Sequence, residues 1–342
     1  MKQNILKFII IAVVFIGLFS CKKDDESATE AYVVPLAEQA PIDNDKLVAF
    51  LTTHYYNEEE FDNVASFSAG TFNYDIEFSE TAVINGIDID GDGINEVDFS
   101  PAYNRTALIN LVETKVITVS GVDHNLYILK ERDNDALPTP KFCDSTFMVY
   151  KGMNLELTQF DGQVNPIWLD LSQTVKGFSE SASELNTATS FTSNGDGTYT
   201  YDEFGIGAAF IPSGLGYYAA PPASIGFYAP LIFTFKIMGY IVTDHDHDNV
   251  PTYLEDLNGD HILTNDNTDG DTIYNFGDTD DDGDGVLTKY EDLEPDTDPL
   301  VDADGDGDPT NDIGDGDPTN DDSDNDGVPN YLDTDSTQSN QD

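Results

Sequence analysis

Residues 230–237, Pro-Leu-Ile-Phe-Thr-Phe-Lys-Ile, form a dense run of aliphatic and aromatic side chains. A short run that is rich in β-branched and aromatic residues is typical of a buried β-strand. Residues 126–129 and 145–151 show a similar enrichment, and residues 152–157 are expected to continue the second of these strands. One short helix is predicted near residues 175–183. A mostly antiparallel sheet that shares one core with a helix is an α+β fold.

Six sequence blocks around these strands follow one another in a fixed order. They are Val149-Tyr150-Lys151-Gly152, Phe160-Asp161, Pro166 to Leu171, Val175-Lys176-Gly177-Phe178, Phe210 to Tyr217, and Ile225 with Pro230 to Phe233. In this order the blocks resemble FKBP-type peptidyl-prolyl cis-trans isomerases over residues 122–236. The resemblance implies an antiparallel sheet wrapped on a short helix, and catalysis of X-Pro isomerisation without a cofactor. Phe178 stands where the family usually has tryptophan.

The resemblance also implies a prolyl-binding pocket. Its expected residues are Tyr150, Phe160, Asp161, Ile167, Thr174, Val175, Phe178, Tyr217, Ile225 and Phe233. Rotation about an X-Pro bond opposes amide resonance, with a barrier of about 18–20 kcal/mol for a peptide bond. A dry aromatic pocket favours the twisted amide over the planar one, so no acid or base is needed. The alternative interpretation is that these aromatic side chains only form a core.

Within that pocket the resemblance assigns separate roles. Phe178 is expected to form the floor, and Tyr150, Phe160 and Phe233 the walls. Tyr217 is expected to offer its hydroxyl to a substrate carbonyl, and Asp161 to orient the substrate at the pocket edge. Between residues 179 and 207 the chain is longer than a minimal member of the family, and Asn194-Gly-Asp-Gly197 predicts an extra hairpin there.

The formal net charge is −52, and half of the 66 acidic residues follow Thr243. Lys289 is the one Lys or Arg residue of that segment. Like charge at this density opposes compaction unless cations neutralise it. Nucleic acid is excluded as a partner, because the sequence contains no basic patch to neutralise phosphates.

Carboxylates recur at alternate positions in this acidic segment. Residues 280–291, Asp-Asp-Asp-Gly-Asp-Gly-Val-Leu-Thr-Lys-Tyr-Glu, fit the EF-hand loop template, in which oxygens two residues apart converge on one hard cation. The predicted calcium ligands are Asp280, Asp282, Asp284 and Glu291; Asp244, Asp246, Asp248 and Glu255; and Asp322, Asp324, Asp326 and Asp333. Degenerate loops begin near Asp256 and Asn267, and a related pattern recurs within residues 305–321.

Flanking helices are not evident, so the tail resembles thrombospondin type 3 repeats more than paired EF-hands. One alternative is a disordered acidic tail without a specific metal. Another is a transition-metal site at His245, His247 and His261. Two of these histidines occupy variable loop positions, where side chains normally point outward.

The first 20 residues combine basic Lys2 and Lys7 with an apolar run, which is typical of a signal peptide. Leu-Phe-Ser-Cys at residues 18–21 resembles a lipobox, so Cys21 is predicted to be lipidated and not to pair with Cys143. An ordinary secretory signal with a chance cysteine is the alternative. The resulting expectation is an outer-membrane lipoprotein of the cell envelope, on its periplasmic or surface face, with proline-containing polypeptides as partners.

The sequence therefore predicts five segments. They are a signal peptide (1–20), a lipid anchor and linker (21–44), a region of unknown role (45–121), an isomerase-like domain (122–242) and a calcium-binding tail (243–342). Within the third segment we expect a short helix from Asp45, capped by Asp43 or Asn44, and a strand over residues 72–78. Residues 88–93 predict either a calcium turn or a hairpin tip. A non-catalytic peptide-binding or adhesive surface lipoprotein remains the alternative function.

Overall fold

The computed structural model describes residues 32–62, 73–80, 106–292, 318–324, 326–337 and 339. Cys21, the signal-like residues 1–20, the turn at residues 88–93 and most of residues 305–321 lie outside this part. The helices are α1 (Leu36–Thr53), α2 (Glu58–Phe61) and α3 (Lys176–Ala182). The strands are β1 (His54–Tyr56), β2 (Phe78–Glu80), β3 (Glu113–Val119), β4 (Val122–Arg132), β5 (Ser145–Met153), β6 (Gln159–Asp170), β7 (Ser190–Ser193), β8 (Tyr199–Asp202), β9 (Gly205–Ile211) and β10 (Leu231–Ile241).

Six of these strands form one antiparallel sheet in the order β3-β4-β9-β10-β5-β6. Helix α3 packs closely against this sheet at Gly177, where an added Cβ would lie 2.3 Å from a methyl carbon of Ile211. Glycine is therefore required for this close approach. The predicted α+β class and the helix near residues 175–183 are both confirmed.

The central strands of the sheet, above all β9, are buried on both faces, which explains their continuous apolar runs. In β9, Ala209 and Ile211 belong to the core on the α3 side. The alternate residues Ala208 and Phe210 belong to the core on the α1 side, together with Leu47. The sheet begins at Glu113, before the boundary expected at residue 122.

Helix α1 is longer than predicted and starts in the expected linker. Asp43 is not an N-cap; it lies inside the helix and is fully buried. Its side chain accepts hydrogen bonds from the Gln39 amide and from both the backbone N–H and the hydroxyl of Ser213. These long-range contacts satisfy a carboxylate that would otherwise be costly to bury, so tertiary structure allows Asp43 to lie inside the helix.

Other local predictions had mixed outcomes. The extra hairpin at Asn194–Gly197 is confirmed by the pairing of β7 with β8. The prediction of a strand over residues 72–78 is wrong for residues 73–77, which are not part of a strand. The strand of this segment, Phe78–Glu80, pairs with β1. Residues 154–157 do not continue β5; they form a turn in which the Asn154 side chain accepts hydrogen bonds from two backbone N–H groups.

The acidic tail continues directly from the sheet and is held against it by polar contacts. Among its described residues, short 3-10 turns replace the flanking helices of an EF-hand. His245 does not point outward as expected; its ring lies 3.1 Å from Asp170 and 2.8 Å from the Thr252 hydroxyl. His261 lies 2.7 Å from Glu180 of α3.

None of the helices in the described part of the chain combines the length and the apolarity that a membrane span needs.

Cys143 is free and buried, and burial raises the pKa of its thiol. A buried thiol of this kind is chemically inert.

One half-buried carboxyl of β4 leads to a pH prediction. Burial, opposed by a hydrogen bond from Tyr56, raises the pKa of Glu131 from 4.5 to about 7. The folded state therefore keeps the Glu131 proton to a higher pH than the unfolded chain. As the pH rises from 4.5 to about 7, Glu131 contributes less to the stability of the fold. We expect Glu131→Gln to gain stability relative to the parent from pH 4.5 to pH 7, measured by urea unfolding. Parallel pH profiles of parent and variant would contradict this.

Candidate functional site

An open cavity of about 310 Å³ lies between α3 and the β5–β6–β10 part of the sheet. Its lining residues are Tyr150, Asp161, Leu169, Gln173, Thr174, Val175, Phe178, Tyr217 and Phe233. Phe178 and Phe233 are each 3% exposed and form its base. Their rings meet edge to face, with centroids 5.0 Å apart. Such packing holds both rings in place, so the base is rigid and apolar.

Polar groups stand at the rim of this cavity. The Tyr150 hydroxyl donates a hydrogen bond to Asp161, with 3.1 Å between the oxygens. Burial, assisted by the Asp161 charge, raises the pKa of Tyr150 to about 12. The same two causes raise the pKa of Tyr217. Both phenols are therefore protonated at neutral pH and can donate hydrogen bonds.

Most of the predicted pocket residues meet here, but three do not line the cavity. Phe160 packs edge-on against Phe233, 5.6 Å away, and supports that ring from behind. Ile225 is 8% exposed and belongs to the core. Leu169, two residues beyond Ile167 on β6, contributes to the lining instead of Ile167.

Sequence reasoning also missed Gln173. It lies in the short 3-10 turn Leu171–Gln173, which leads into α3. The turn is started by Asp170, whose carboxylate accepts a hydrogen bond from the Ser172 N–H. An acidic N-cap at this point was a readable signal for the turn.

A second cavity, of about 350 Å³, lies beside residues 73–76. The Lys236 ammonium, which lines it, lies 2.5 Å from Asp75 and donates to the Asn73 carbonyl. An ion pair at this position does not suit a prolyl ring, so we place the candidate peptide site at the first cavity.

The carboxylate loops form a second candidate site. The structure brings together three predicted sets, Asp244 with Asp246 and Asp248, Asp280 with Asp282 and Asp284, and Asp322 with Asp324 and Asp326. In each set one ligand atom per residue lies within 4.8 Å of the others. An unpredicted set, Asp269, Asp271 and Asp278, follows the degenerate loop near Asn267. Glu291 and Asp333, expected to close two of the loops, fall outside these three-residue sets.

The backbone of these loops turns where the calcium template requires it. Asn249, Gly285 and Gly327 occupy the sixth loop position and have φ angles of 77°, 97° and 98°. Glycine adopts this left-handed conformation without strain, and asparagine tolerates it better than most residues. This explains why Asn249 can replace the usual glycine.

Several of these carboxylates are deeply buried without a counter-charge. Glu255 and Glu291 are each 0% exposed, and neither side-chain oxygen of either residue has a hydrogen-bond partner. Burial raises the pKa of Glu255 to about 10 and that of Glu291 to about 9, and neighbouring aspartates add to both shifts. Buried carboxyl groups of this kind are stable in the charged form only when a cation is bound to them. The all-oxygen ligand set fits calcium better than a transition metal.

The histidines do not assemble a transition-metal site. His245 and His261 turn toward the sheet-bearing part of the chain, where they contact Asp170 and Glu180 respectively. His247 has a positive φ of 66° and its backbone N–H donates to Asp244. The His245 and His261 side chains are therefore used in separate contacts.

Comparison with known proteins gives partial matches. A family model described as BamM C-terminal matches residues 245–300, so the matching description is not a calcium repeat. No curated protein matches the chain.

Solved structures similar to the chain include a peptidyl-prolyl cis-trans isomerase from Pseudomonas syringae pv. tomato. The identity is 17%, the match covers 37% of this chain and 80% of that chain, and the TM-score is 0.29. FkpA from Escherichia coli is similar at 20% identity over 37% of this chain, with a TM-score of 0.29. The match spans 52% of that FkpA chain, about half its length.

Proposed function

We propose that this chain is an FKBP-like peptidyl-prolyl cis-trans isomerase with a calcium-binding tail. The observation that carries the first part is the cavity floored by Phe178 and Phe233, with the Tyr150, Asp161 and Tyr217 side chains at its rim. One prolyl ring fits an apolar base of this kind, while the polar rim faces the peptide backbone.

The proposed mechanism uses no proton transfer. The aromatic base excludes water from the X-Pro amide, and loss of solvation favours the twisted amide, which has less charge separation than the planar one. The Tyr217 hydroxyl donates a hydrogen bond to a substrate carbonyl, and the Tyr150–Asp161 pair limits the orientations of the peptide. Slow X-Pro isomerisation is a rate-limiting step in protein folding, which gives such an activity a use.

The proposed domain order follows the sequence segments, with the isomerase unit before residue 243 and the calcium tail after it. We further propose that Cys21 is lipidated and anchors the chain to the outer membrane, on the periplasmic or surface face. Several acyl chains together give stable membrane attachment. The proposed partners are exported polypeptides that contain proline.

A test of the isomerase proposal is NMR exchange spectroscopy of an X-Pro peptide with the full chain in detergent. We expect faster cis-trans exchange with the parent protein than with the peptide alone. Tyr217→Phe should reduce kcat/KM about two- to tenfold, because a net hydrogen bond is worth about 0.5–1.5 kcal/mol. Tyr199→Phe is the matched control, since Tyr199 is 52% exposed on the β7–β8 hairpin.

The outcomes separate the two candidate functions of the cavity. If the folded parent binds the peptide but leaves its exchange rate at background, the chain is a peptide-binding module and the isomerase proposal is wrong. If Tyr199→Phe lowers the rate as much as Tyr217→Phe, the assigned role of Tyr217 is wrong.

Calcium binding by the tail is supported by a separate observation, the unpartnered and fully buried carboxylates of Glu255 and Glu291. Their loops supply several more aspartate oxygens at calcium-loop spacing. In this proposal calcium neutralises the tail and allows it to pack against the isomerase unit.

A further inference from the structure

Two acidic loops that are separate in sequence meet at one cluster of carboxylates. Asp248 belongs to two sets at once, one with Asp244 and Asp246 and the other with Glu255 and Asp281. Asp281 comes from the loop of residues 280–291 and occupies its second position, where the calcium template has no ligand. The sequence pattern therefore gave no reason to select it.

The side chains of the second set are buried and lack partners. Asp248 and Glu255 are 0% exposed, and Asp281 is 1% exposed. Oδ2 of Asp248 and both side-chain oxygens of Glu255 and Asp281 have no hydrogen-bond partner. Buried polar atoms are almost always paired in folded proteins. These unpaired oxygens are therefore candidate ligands of a cation.

The surrounding groups increase this negative charge. Asp244 and Asp246 face Glu255, and Asp278 and Asp282 act on Asp281. The nearby His245 ring is engaged by Asp170 and Thr252. Among the described residues, no lysine or arginine side chain forms an ion pair with Asp248, Glu255 or Asp281.

We propose that Asp248 bridges two calcium ions, the first held with Asp244 and Asp246 and the second with Glu255 and Asp281. This inference rests on the proposed calcium binding of the tail. It adds that this cluster binds two ions and that one of them links two loops. Once calcium has displaced their protons, the five carboxylates carry five negative charges, of which one Ca²⁺ leaves three and two leave one. Two ions therefore come closest to neutralising the buried cluster.

The chemistry of the ligands favours calcium at both positions. All donors are hard carboxylate oxygens on irregular loops, and calcium accepts about six to eight oxygens in flexible geometry. Backbone carbonyls and water complete each shell. The second ion joins the loop of residues 244–255 to that of residues 280–291, so it acts as a cross-link between them.

The test is a count of bound calcium ions per chain by radiocalcium equilibrium dialysis on the full chain in detergent. We expect Asp281→Asn to bind one ion fewer than the parent. Glu255→Gln should lose the same ion, and the double variant should also bind one ion fewer, not two. Asp335→Asn, which removes one exposed charge from the tail, is the matched control and should keep the parental count.

The outcomes distinguish failure of the proposed calcium binding from failure of the bridged pair of ions. A parent that binds no calcium overturns the proposed calcium function itself. A parent that binds calcium, with an unchanged count in both single variants, overturns only the bridged pair, because no bound ion then depends on Asp281 or Glu255. Loss of two ions in the double variant also overturns it. Near-UV circular dichroism identifies any variant that does not fold, and the other single variant then carries the test.

Discussion

Chelation of calcium is expected to lower the melting temperature of the chain and to unfold residues 243–292 first. Glu255 and Glu291 are fully buried carboxyl groups whose side-chain oxygens have no hydrogen-bond partner, so calcium binding to them strongly favours the folded state. A ligand that binds only the folded state stabilises it by about 2.7 kcal/mol when present at a hundredfold excess over its dissociation constant. Several loops of this kind add up to a large effect relative to the marginal stability of most domains.

The effect should reach the peptide cavity. The Lys176 ammonium of α3 donates to the Asp260 carbonyl of the tail at 2.7 Å, and Glu180 of the same helix contacts His261. Helix α3 also carries Phe178, which forms the cavity base. We therefore expect chelation to increase amide hydrogen exchange in α3 as well as in the loops.

Calorimetry and hydrogen-exchange mass spectrometry, with and without chelator, measure both effects. Magnesium at the same concentration is the control, because it demands a stricter octahedral geometry and retains its waters. Equal melting temperatures in calcium and in chelator would show that the loops do not need the ion. Loss of loop protection with α3 unchanged would show that the contacts of His261 and Lys176 do not couple the two regions.

Phe233→Ala is expected to reduce isomerase turnover by about ten- to a hundredfold. The ring forms half of the apolar base, and a buried aromatic contact is worth about 1.5–3 kcal/mol. An added Cβ on Gly152 would lie 2.7 Å from this ring, so the neighbouring strand is shaped to admit it. The same substitution should also destabilise the fold, since Phe→Ala in a core costs about 3–5 kcal/mol.

Phe235→Ala separates the loss of activity from the loss of stability. Phe235 lies two residues along the same strand, is 1% exposed and stacks on Phe233 with centroids 6.2 Å apart. It does not line the peptide cavity. We expect a similar loss of stability in urea unfolding but near-parental turnover under folding conditions. If both variants lose turnover equally, the activity does not depend on the base of the cavity. Phe→Leu at both positions provides a milder pair if either alanine variant unfolds.

Much of the sheet and part of the cavity could be predicted from the sequence. The apolar run at residues 230–237 indicates a buried strand. Gly177 in α3 is consistent with a close contact between helix and sheet. Phe178 and Phe233 could be selected because the blocks around them occur in a recognisable order. The three aspartate triads followed from spacing alone, since alternate residues on a tight loop converge whatever surrounds them.

Contacts between distant segments could not be predicted in this way. The burial of Asp43 inside α1 depends on Ser213, which donates two hydrogen bonds to it from far along the chain. Asp281 is a candidate ligand only because its loop folds against the one that carries Glu255. His245 was expected to point outward, yet it contacts Asp170 and, with His261, attaches the tail to the sheet-bearing part.

The sequence by itself determined the α+β class, the strands of the core and the spacing of the acidic loops. Each of these depends on interactions between residues that are near one another in the chain or on a pattern of apolar side chains. Only the tertiary structure decided which carboxylates become buried without partners and which loops share them. Burial and shared charge arise from packing between distant segments, and no local pattern encodes that packing.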